Sequence, residues 1–227
     1  PSNTHLIKFD SQLTRKVDEY INKAIIKEKI QGGAYAILIN GKLVHQVPFG
    51  FSDIETKAIV SSNTSFPVAS ITKLFVSTAV HELLRKHNIP LESEIGELIS
   101  SVPTHWSKIT VTELLSHTSG LPDYYPINSK PKDKQAAIDL VDELQLEYVK
   151  NEKSEYIQTG FVLLHLLIEQ LSGVSLESYL QSYQFDKYNL ANTFYISAKQ
   201  NQRTVSTMYR NEWLGVVPTA FSYPPSV

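Results

Sequence analysis

Ser70-Ile71-Thr72-Lys73 places a hydroxyl and an amine one helical turn apart, and side chains at i and i+3 of a helix share a face. A second Ser-x-x-Lys match, Ser129 to Lys132, falls among Pro122, Pro126 and Pro131, in a loop with no regular element to hold the pair at a fixed distance. Ser70 instead follows Phe66-Pro67-Val68-Ala69 and opens an apolar segment. Its hydroxyl would sit among the unpaired N–H groups of a helix start, which stabilise developing negative charge. Lys73 runs straight into Leu74-Phe75-Val76, and an amine entering a buried helix is costly unless it is used. Without a chemical role, Ser70 is an N-cap and Lys73 a snorkelling lysine. Tyr156-Ile157-Gln158-Thr159-Gly160 sets a phenol just ahead of another apolar run, where a tyrosine on its own reads as packing.

The chemistry such a set supports is nucleophilic. Ser70 would attack a carbonyl and form an acyl-enzyme, released by water or another nucleophile. A serine hydroxyl needs a base, and neither candidate serves unperturbed: roughly one free lysine in 2,500 is neutral at pH 7, and roughly one free tyrosine in a thousand is ionised. Burial lowers a lysine's pKa and a neighbouring ammonium lowers a tyrosine's, so Lys73 and Tyr156 would tune each other if the fold brings them together. Their protons then belong to the pair, which leaves open which of the two takes the Ser70 proton. His117 suggests a Ser-His arrangement, but no Gly-x-Ser-x-Gly elbow occurs in the chain.

The elements that must position these residues follow from periodicity. Over 11–29, Leu13, Val17, Ile21, Ala24 and Ile25 recur at helical spacing among charges, a surface helix stopped at Gln31-Gly32-Gly33. Ala34 to Ile39 and Lys42 to Phe49 are β-rich and flank Asn40-Gly41, the strongest two-residue hairpin signal. Residues 70–87 carry Leu74, Phe75, Val76, Ala79, Val80, Leu83 and Leu84, a helix apolar over much of its girth and so expected to be buried. Thr110-Val111-Thr112-Glu113 has capping-box spacing and opens a short helix through Ser116. Residues 121–135 form the proline loop, 136–149 and 160–171 two further helices, the second stopped at Ser172-Gly173. Strands followed by a helical block give an α+β plan. The expected division is an α/β part over about 1–65, a helical part over about 66–195 and an irregular tail over 196–227, in one domain spanning 1–227. Two strands alone make a poor sheet, so further strands are expected.

Composition excludes several other classes. The 227 residues are 42% hydrophobic, too apolar for a disordered chain. Net charge is −2 with no basic stripe, which argues against nucleic acid as a partner. Cys is absent and the seven histidines lack ligand spacing, so neither a thiolate nucleophile nor a metal centre is expected. No cofactor is called for. The longest apolar stretch, Phe161 to Leu171, is interrupted by His165 and Glu169 and is shorter than the roughly 18–20 residues of a transmembrane span.

Taken together, three segments resemble the class C β-lactamase group of penicillin-recognising serine hydrolases. Phe66 to Lys73 looks like that group's active-site serine segment. Leu114-Leu115-Ser116-His117-Thr118-Ser119-Gly120-Leu121-Pro122 resembles its Leu-Leu-x-His-Thr-Ser-Gly-Leu segment, and Tyr156-Ile157-Gln158 its Tyr-x-Asn motif. The likeness continues through Ser172-Gly173 and Leu176 to Leu180 and spans roughly residues 30–195. It implies a β-lactamase/transpeptidase-like α+β fold, an antiparallel sheet with flanking helices plus a helical subdomain. It implies Ser70 as nucleophile, Lys73 and Tyr156 as the acid–base pair, Gln158 as a substrate-binding amide, and His117 as structural. The implied substrate is a small-molecule or peptide acyl compound, handled by a β-lactamase, DD-carboxypeptidase or esterase, and the implied compartment is periplasmic or secreted. A catalytically inactive relative that binds a peptide or cell-wall ligand fits the same motifs.

Two departures stand out. Gln158 replaces the motif's Asn, which moves the amide by about one bond length and can misplace an acylamide-bearing substrate. No Lys/His-x-Gly triad follows Gly160, although in the group that strand supplies half the oxyanion hole. The sequence therefore reads as C-terminally truncated, its closing strands and helix expected from a longer gene product or a second polypeptide, and as nearly inactive alone.

Overall fold

The computed structural model describes residues 11–124, 131–144, 146–195, 205–212 and 215–218. The chain forms two compact units, Pro1–Pro67 with Gln202–Phe221, and Val68–Asn201 with Ser222–Val227.

In the first unit, α1 (Ser11–Lys27) precedes a sheet of β1 (Gly32–Ile39), β2 (Lys42–Asp53) and β3 (Ala58–Ile59), antiparallel in the order β1-β2-β3. The expected turn forms: Asn40 and Gly41 take φ values of 50° and 74°, both positive as the tight primed turn requires. Ile39 pairs with Lys42 and Gly32 with Gly50, with an irregularity between Ile37 and Leu38. Gly32 and Gly33, expected to end α1, are instead the first residues of β1. Val17, Ile21, Ala24 and Ile25 form the half-buried stripe of α1. Between them Asp18 accepts hydrogen bonds from the Tyr35 hydroxyl at 2.6 Å and from His45 Nε2 at 2.7 Å, tying α1 to both long strands. Burial and then the Asp18 carboxylate push the Tyr35 phenol up to about 12, and the same bonds hold Asp18 below its usual value.

The tail expected to be irregular over 196–227 contains a hairpin, β4 (Tyr209–Glu212) with β5 (Gly215–Pro218). Val205 bridges Ser65 in parallel, Thr207 Oγ1 donates to Asp53 Oδ2 at 2.9 Å, and the Ile54 N–H donates to the Tyr209 hydroxyl at 2.8 Å. Long-range pairing of this kind overrides weak local propensity, which is why a polar, mixed sequence forms strands. Ser129 and the segment 219–227 lie outside the described residues.

The second unit is helical: α2 (Thr72–His87), α3 (Ile95–Leu98), α4 (Val111–Leu115), α5 (Lys134–Asp139), α6 (Thr159–Ser172) and α7 (Leu176–Leu180), the last running into a π turn over Gln181–Phe185. Helix α6 is the hub, packed against α2, α4, α5 and α7. Leu163, Leu164, Leu167 and Ile168 are each 0% exposed, and burying a side chain of this size contributes about 1.5–3 kcal/mol. It ends at Gly173, whose φ of 74° is the left-handed stop read from the sequence. The capping box at α4 is complete, with Thr110 Oγ1 accepting from Glu113 N–H and the Glu113 carboxylate accepting from Thr110 N–H.

Two helices differ from expectation. Helix α2 is not buried round its girth: Val76, Ala79, Val80, Leu83 and Leu84 form one buried face, while Leu74 is 68% exposed. The helix expected over 136–149 ends at Asp139. Beyond it the chain is captured by another segment: Gly120 C=O accepts from Glu147 N–H at 2.9 Å, and Thr118 C=O from Asn151 N–H at 2.8 Å. Those partners compete with the i to i−4 bonds that would have continued the helix.

Candidate active site

Ser70 lies in a single 3-10 turn, Ala69–Ile71, that leads into α2. Ala69 has a φ of 44°, a left-handed conformation that costs a residue with a Cβ about 1–2 kcal/mol. This kink lifts Ser70 out as an exposed side chain. Lys73 follows in the first turn of α2 and is half-buried, which corrects the expectation of a lysine entering a fully buried helix.

Tyr156 and Gln158 arrive from the opposite side, on the approach to α6, and their placement is built from two strips of chain. Residues 116–120 and 147–157 run side by side. Besides the backbone bonds of Gly120 and Thr118, Ser154 Oγ donates to Ser116 C=O at 2.9 Å, Thr118 Oγ1 donates to Asn151 Oδ1 at 3.0 Å, and Asn151 Nδ2 donates to buried Glu113 at 2.6 Å. Gly120 is required here: its φ is 74°, and a Cβ would stand 2.3 Å from Tyr148 C=O. The head of α6 is fixed by Thr159, fully buried, whose Oγ1 donates to Pro122 C=O at 2.7 Å and accepts from Tyr124 N–H at 3.1 Å. Asp123 Oδ1 accepts from Gln158 N–H at 3.0 Å.

Of the four residues singled out in the sequence, Ser70, Tyr156 and Gln158 converge on one atom of the fourth, Lys73 Nζ. It donates to Gln158 Oε1 at 2.6 Å and stands 3.5 Å from Ser70 Oγ. It also lies 4.9 Å from the centre of the Tyr156 ring and 5.0 Å from that of Phe161, within the reach of a cation–π attraction. The strong, short bond is therefore to Gln158 and the longer approach is to Ser70. Gln158, which the resemblance implies is a substrate-binding amide, has its oxygen engaged with the lysine. Burial raises the Tyr156 phenol, but Lys73, Ser70 and Gln158 together outweigh it and hold the phenol below its usual value. A phenol shifted in that direction beside a serine and an ammonium suits proton transfer.

Two contributors were missed in the sequence. Phe161 walls the lysine, and Asp123 holds the Gln158 peptide. Asp123 directly follows the Gly120-Leu121-Pro122 motif, a signal that was available. Phe161 belongs to an apolar run in which nothing singles it out. On α6, His165 is buried and held neutral, its pKa pushed down to about 3 by burial and by the nearby charges of Lys134 and Lys73. Its Nδ1 has no hydrogen-bond partner among the described residues.

Comparison with known proteins adds an independent finding. The family model described as Beta-lactamase matches residues 13–225. Penicillin-binding protein 4* of Bacillus subtilis (strain 168) is 29% identical over 150 residues, 63% of this chain and 33% of that protein. An octameric penicillin-binding protein homologue from Pyrococcus abyssi superposes with a TM-score of 0.82 at 22% identity, over 94% of this chain and 51% of that one. A β-lactamase/D-alanine carboxypeptidase from Pseudomonas syringae superposes with a TM-score of 0.79 at 22% identity, over 92% and 58% respectively. These likenesses establish a β-lactamase/transpeptidase-like fold, and the chain spans about a third to three-fifths of the length of these proteins.

Proposed function

The chain belongs to the Beta-lactamase family, and from that premise and the geometry around Lys73 we propose that it is a serine hydrolase forming an acyl-enzyme on Ser70. The observation that carries the reading is the convergence of Ser70 Oγ, Gln158 Oε1 and the Tyr156 and Phe161 rings on Lys73 Nζ. In this reading the Ser70 oxygen bonds to the substrate carbonyl carbon as the Lys73–Tyr156 pair takes its proton. The pair returns that proton to the leaving alcohol, amine or lactam nitrogen as its bond to carbon breaks. The lowered Tyr156 phenol supports tyrosine as the group that moves the proton while the ammonium stabilises its phenolate. The Ser70 N–H, at the first turn, serves as one oxyanion donor. The substrate is an acyl ester, a β-lactam or an acyl-D-alanine peptide; Gln158 bound to Lys73 favours compounds that do not need a free amide at that position.

The same 2.6 Å bond also favours a second reading, a penicillin-binding-like protein in which Lys73 is held by Gln158 and turnover is lost. Hydrolysis of p-nitrophenyl acetate and nitrocefin by the wild type and by Ser70→Ala separates the two. Turnover that disappears in Ser70→Ala supports the hydrolase, and tight binding of a penicillin with no Ser70-dependent product supports the binding protein.

A further inference from the structure

His117 holds the segment around Tyr156 at three points. Its carbonyl accepts from Glu155 N–H at 2.9 Å and its Nδ1 accepts a long bond from Ile157 N–H at 3.4 Å, so the N–H groups of the residues before and after Tyr156 end on one residue. Its ring packs on the Tyr156 ring at 4.6 Å between centroids and on Phe161 at 5.3 Å, the same two rings that wall Lys73. Its own backbone is left-handed, with a φ of 57°, a conformation in which Asn and His are over-represented among residues with a Cβ. The Tyr148 hydroxyl donates to its carbonyl at 3.3 Å, steadying that turn.

An acceptor at Nδ1 puts the proton of the neutral ring on Nε2. Protonating Nδ1 would set two donors against each other at Ile157 and bring a second cation beside Lys73. We infer that neutral His117 is a positioning residue that clamps Tyr156 against Ser70 and Lys73, and that a second proton on its ring releases the clamp. The inference rests on the acyl-transfer reading for its catalytic consequence, while the clamp itself rests on geometry alone. The titratable groups facing the ring are Lys73 of α2, Asp123 of the loop after α4, Tyr148 of the neighbouring strip and Tyr156 itself. Burial first, then the Lys73 charge, hold His117 below its usual value, with Asp123 opposing.

The test compares the wild type with His117→Asn and His117→Leu. Asparagine tolerates the left-handed backbone and presents an oxygen near the place of Nδ1 that does not titrate in this range; leucine does neither. In the wild type, kcat/KM for p-nitrophenyl acetate should fall by a further factor of about ten per pH unit below the histidine pKa, on the acid side of roughly 6.5, in addition to the slope that Tyr156 sets. His117→Asn should keep the rate at pH 8 within about tenfold and lose that acid limb, and His117→Leu should lower the rate throughout. Independently of turnover, the ¹³Cζ signal of Tyr156 in tyrosine-labelled protein, assigned with Tyr156→Phe, should move with a single titration below pH 7 in the wild type and stay fixed in His117→Asn. A Tyr156 signal that ignores pH in the wild type, or titrates equally in His117→Asn, overturns the inference. Fluorophosphonate labelling of Ser70 at pH 8 is the separate control. Its failure removes the acyl-transfer reading and leaves the clamp to be decided by the tyrosine signal.

Discussion

Replacing Gln158 with leucine removes the shortest polar contact of Lys73 while keeping the side chain's approximate volume. The bond it deletes is 2.6 Å and charge-assisted, and hydrogen bonds to charged groups contribute about 1.5–3 kcal/mol. Lys73 is half-buried and keeps its contacts with the Tyr156 and Phe161 rings. Water and those rings recover part of the loss, which places the effect near the low end, about 1.5 kcal/mol or roughly tenfold in rate. Acylation is read as the burst with p-nitrophenyl acetate and as the rate of fluorescent-penicillin adduct formation, on the same preparation. Because the Gln158 oxygen is bonded to the lysine, both rates should fall by a common factor of roughly ten. A penicillin rate that falls alone, with the ester burst unchanged, would show that Gln158 reads the acyl side chain and that its bond to Lys73 has no catalytic weight. Gln158→Asn draws the amide back by about one bond length and should likewise act on both substrates together.

Tyr156→Phe should slow acylation by about 10²–10⁴ with little change in KM, measured by single-turnover kinetics, since it removes a proton-transfer group and almost no volume. In the wild type the basic limb of the rate should rise through a pKa below the usual tyrosine value, following the lowered phenol, and that limb should vanish in Tyr156→Phe. Gly120→Ala should destabilise the protein by more than about 1 kcal/mol in urea titration, because the left-handed backbone and the Tyr148 carbonyl at 2.3 Å both oppose a Cβ. Asp18→Asn should move the Tyr35 phenol down from about 12, though not fully to its ordinary value because burial is the larger cause, as read by ultraviolet titration. Asp18 is lowered in the folded state, so its stabilising effect is full above the unfolded carboxylate pKa. That effect is lost as pH falls through the lower folded value, and the melting temperature of Asp18→Asn should converge on the wild type there.

Ser70, Lys73, Tyr156 and Gln158, which lie together in the structure, stood out in the sequence because chemistry-bearing residues are rare in apolar runs. Ser70 and Lys73 open one helix, Tyr156 and Gln158 precede another, and both helices announce themselves by apolar periodicity and by stops at Asn88 and Gly173. The Asn40-Gly41 hairpin and the Thr110 capping box were legible for the same reason, since each is a local rule satisfied by a few adjacent residues. What failed was non-local. The helix expected over 136–149 gave way after Asp139 because Glu147 and Asn151 bond to Gly120 and Thr118. Strands β4 and β5 pair with each other, and Val205 with Ser65, across a polar segment that carries no alternation. The exposed Leu74 reads as core because an apolar run does not say which face each of its residues lies on. His117 carries no local signal of its contacts: its carbonyl and Nδ1 accept from the N–H groups of Glu155 and Ile157, the residues on either side of Tyr156.

The most direct test of acyl transfer at Ser70 is intact mass followed by peptide mapping of the full-length gene product after treatment with a fluorophosphonate at pH 8. A single adduct on the peptide containing Phe66 to Lys73, placed on Ser70 and absent from Ser70→Ala, is the expected result. An adduct of equal yield in Ser70→Ala, or a fully folded protein that stays unmodified while Tyr156 and Lys73 remain intact, would contradict the assignment of Ser70 as the nucleophile.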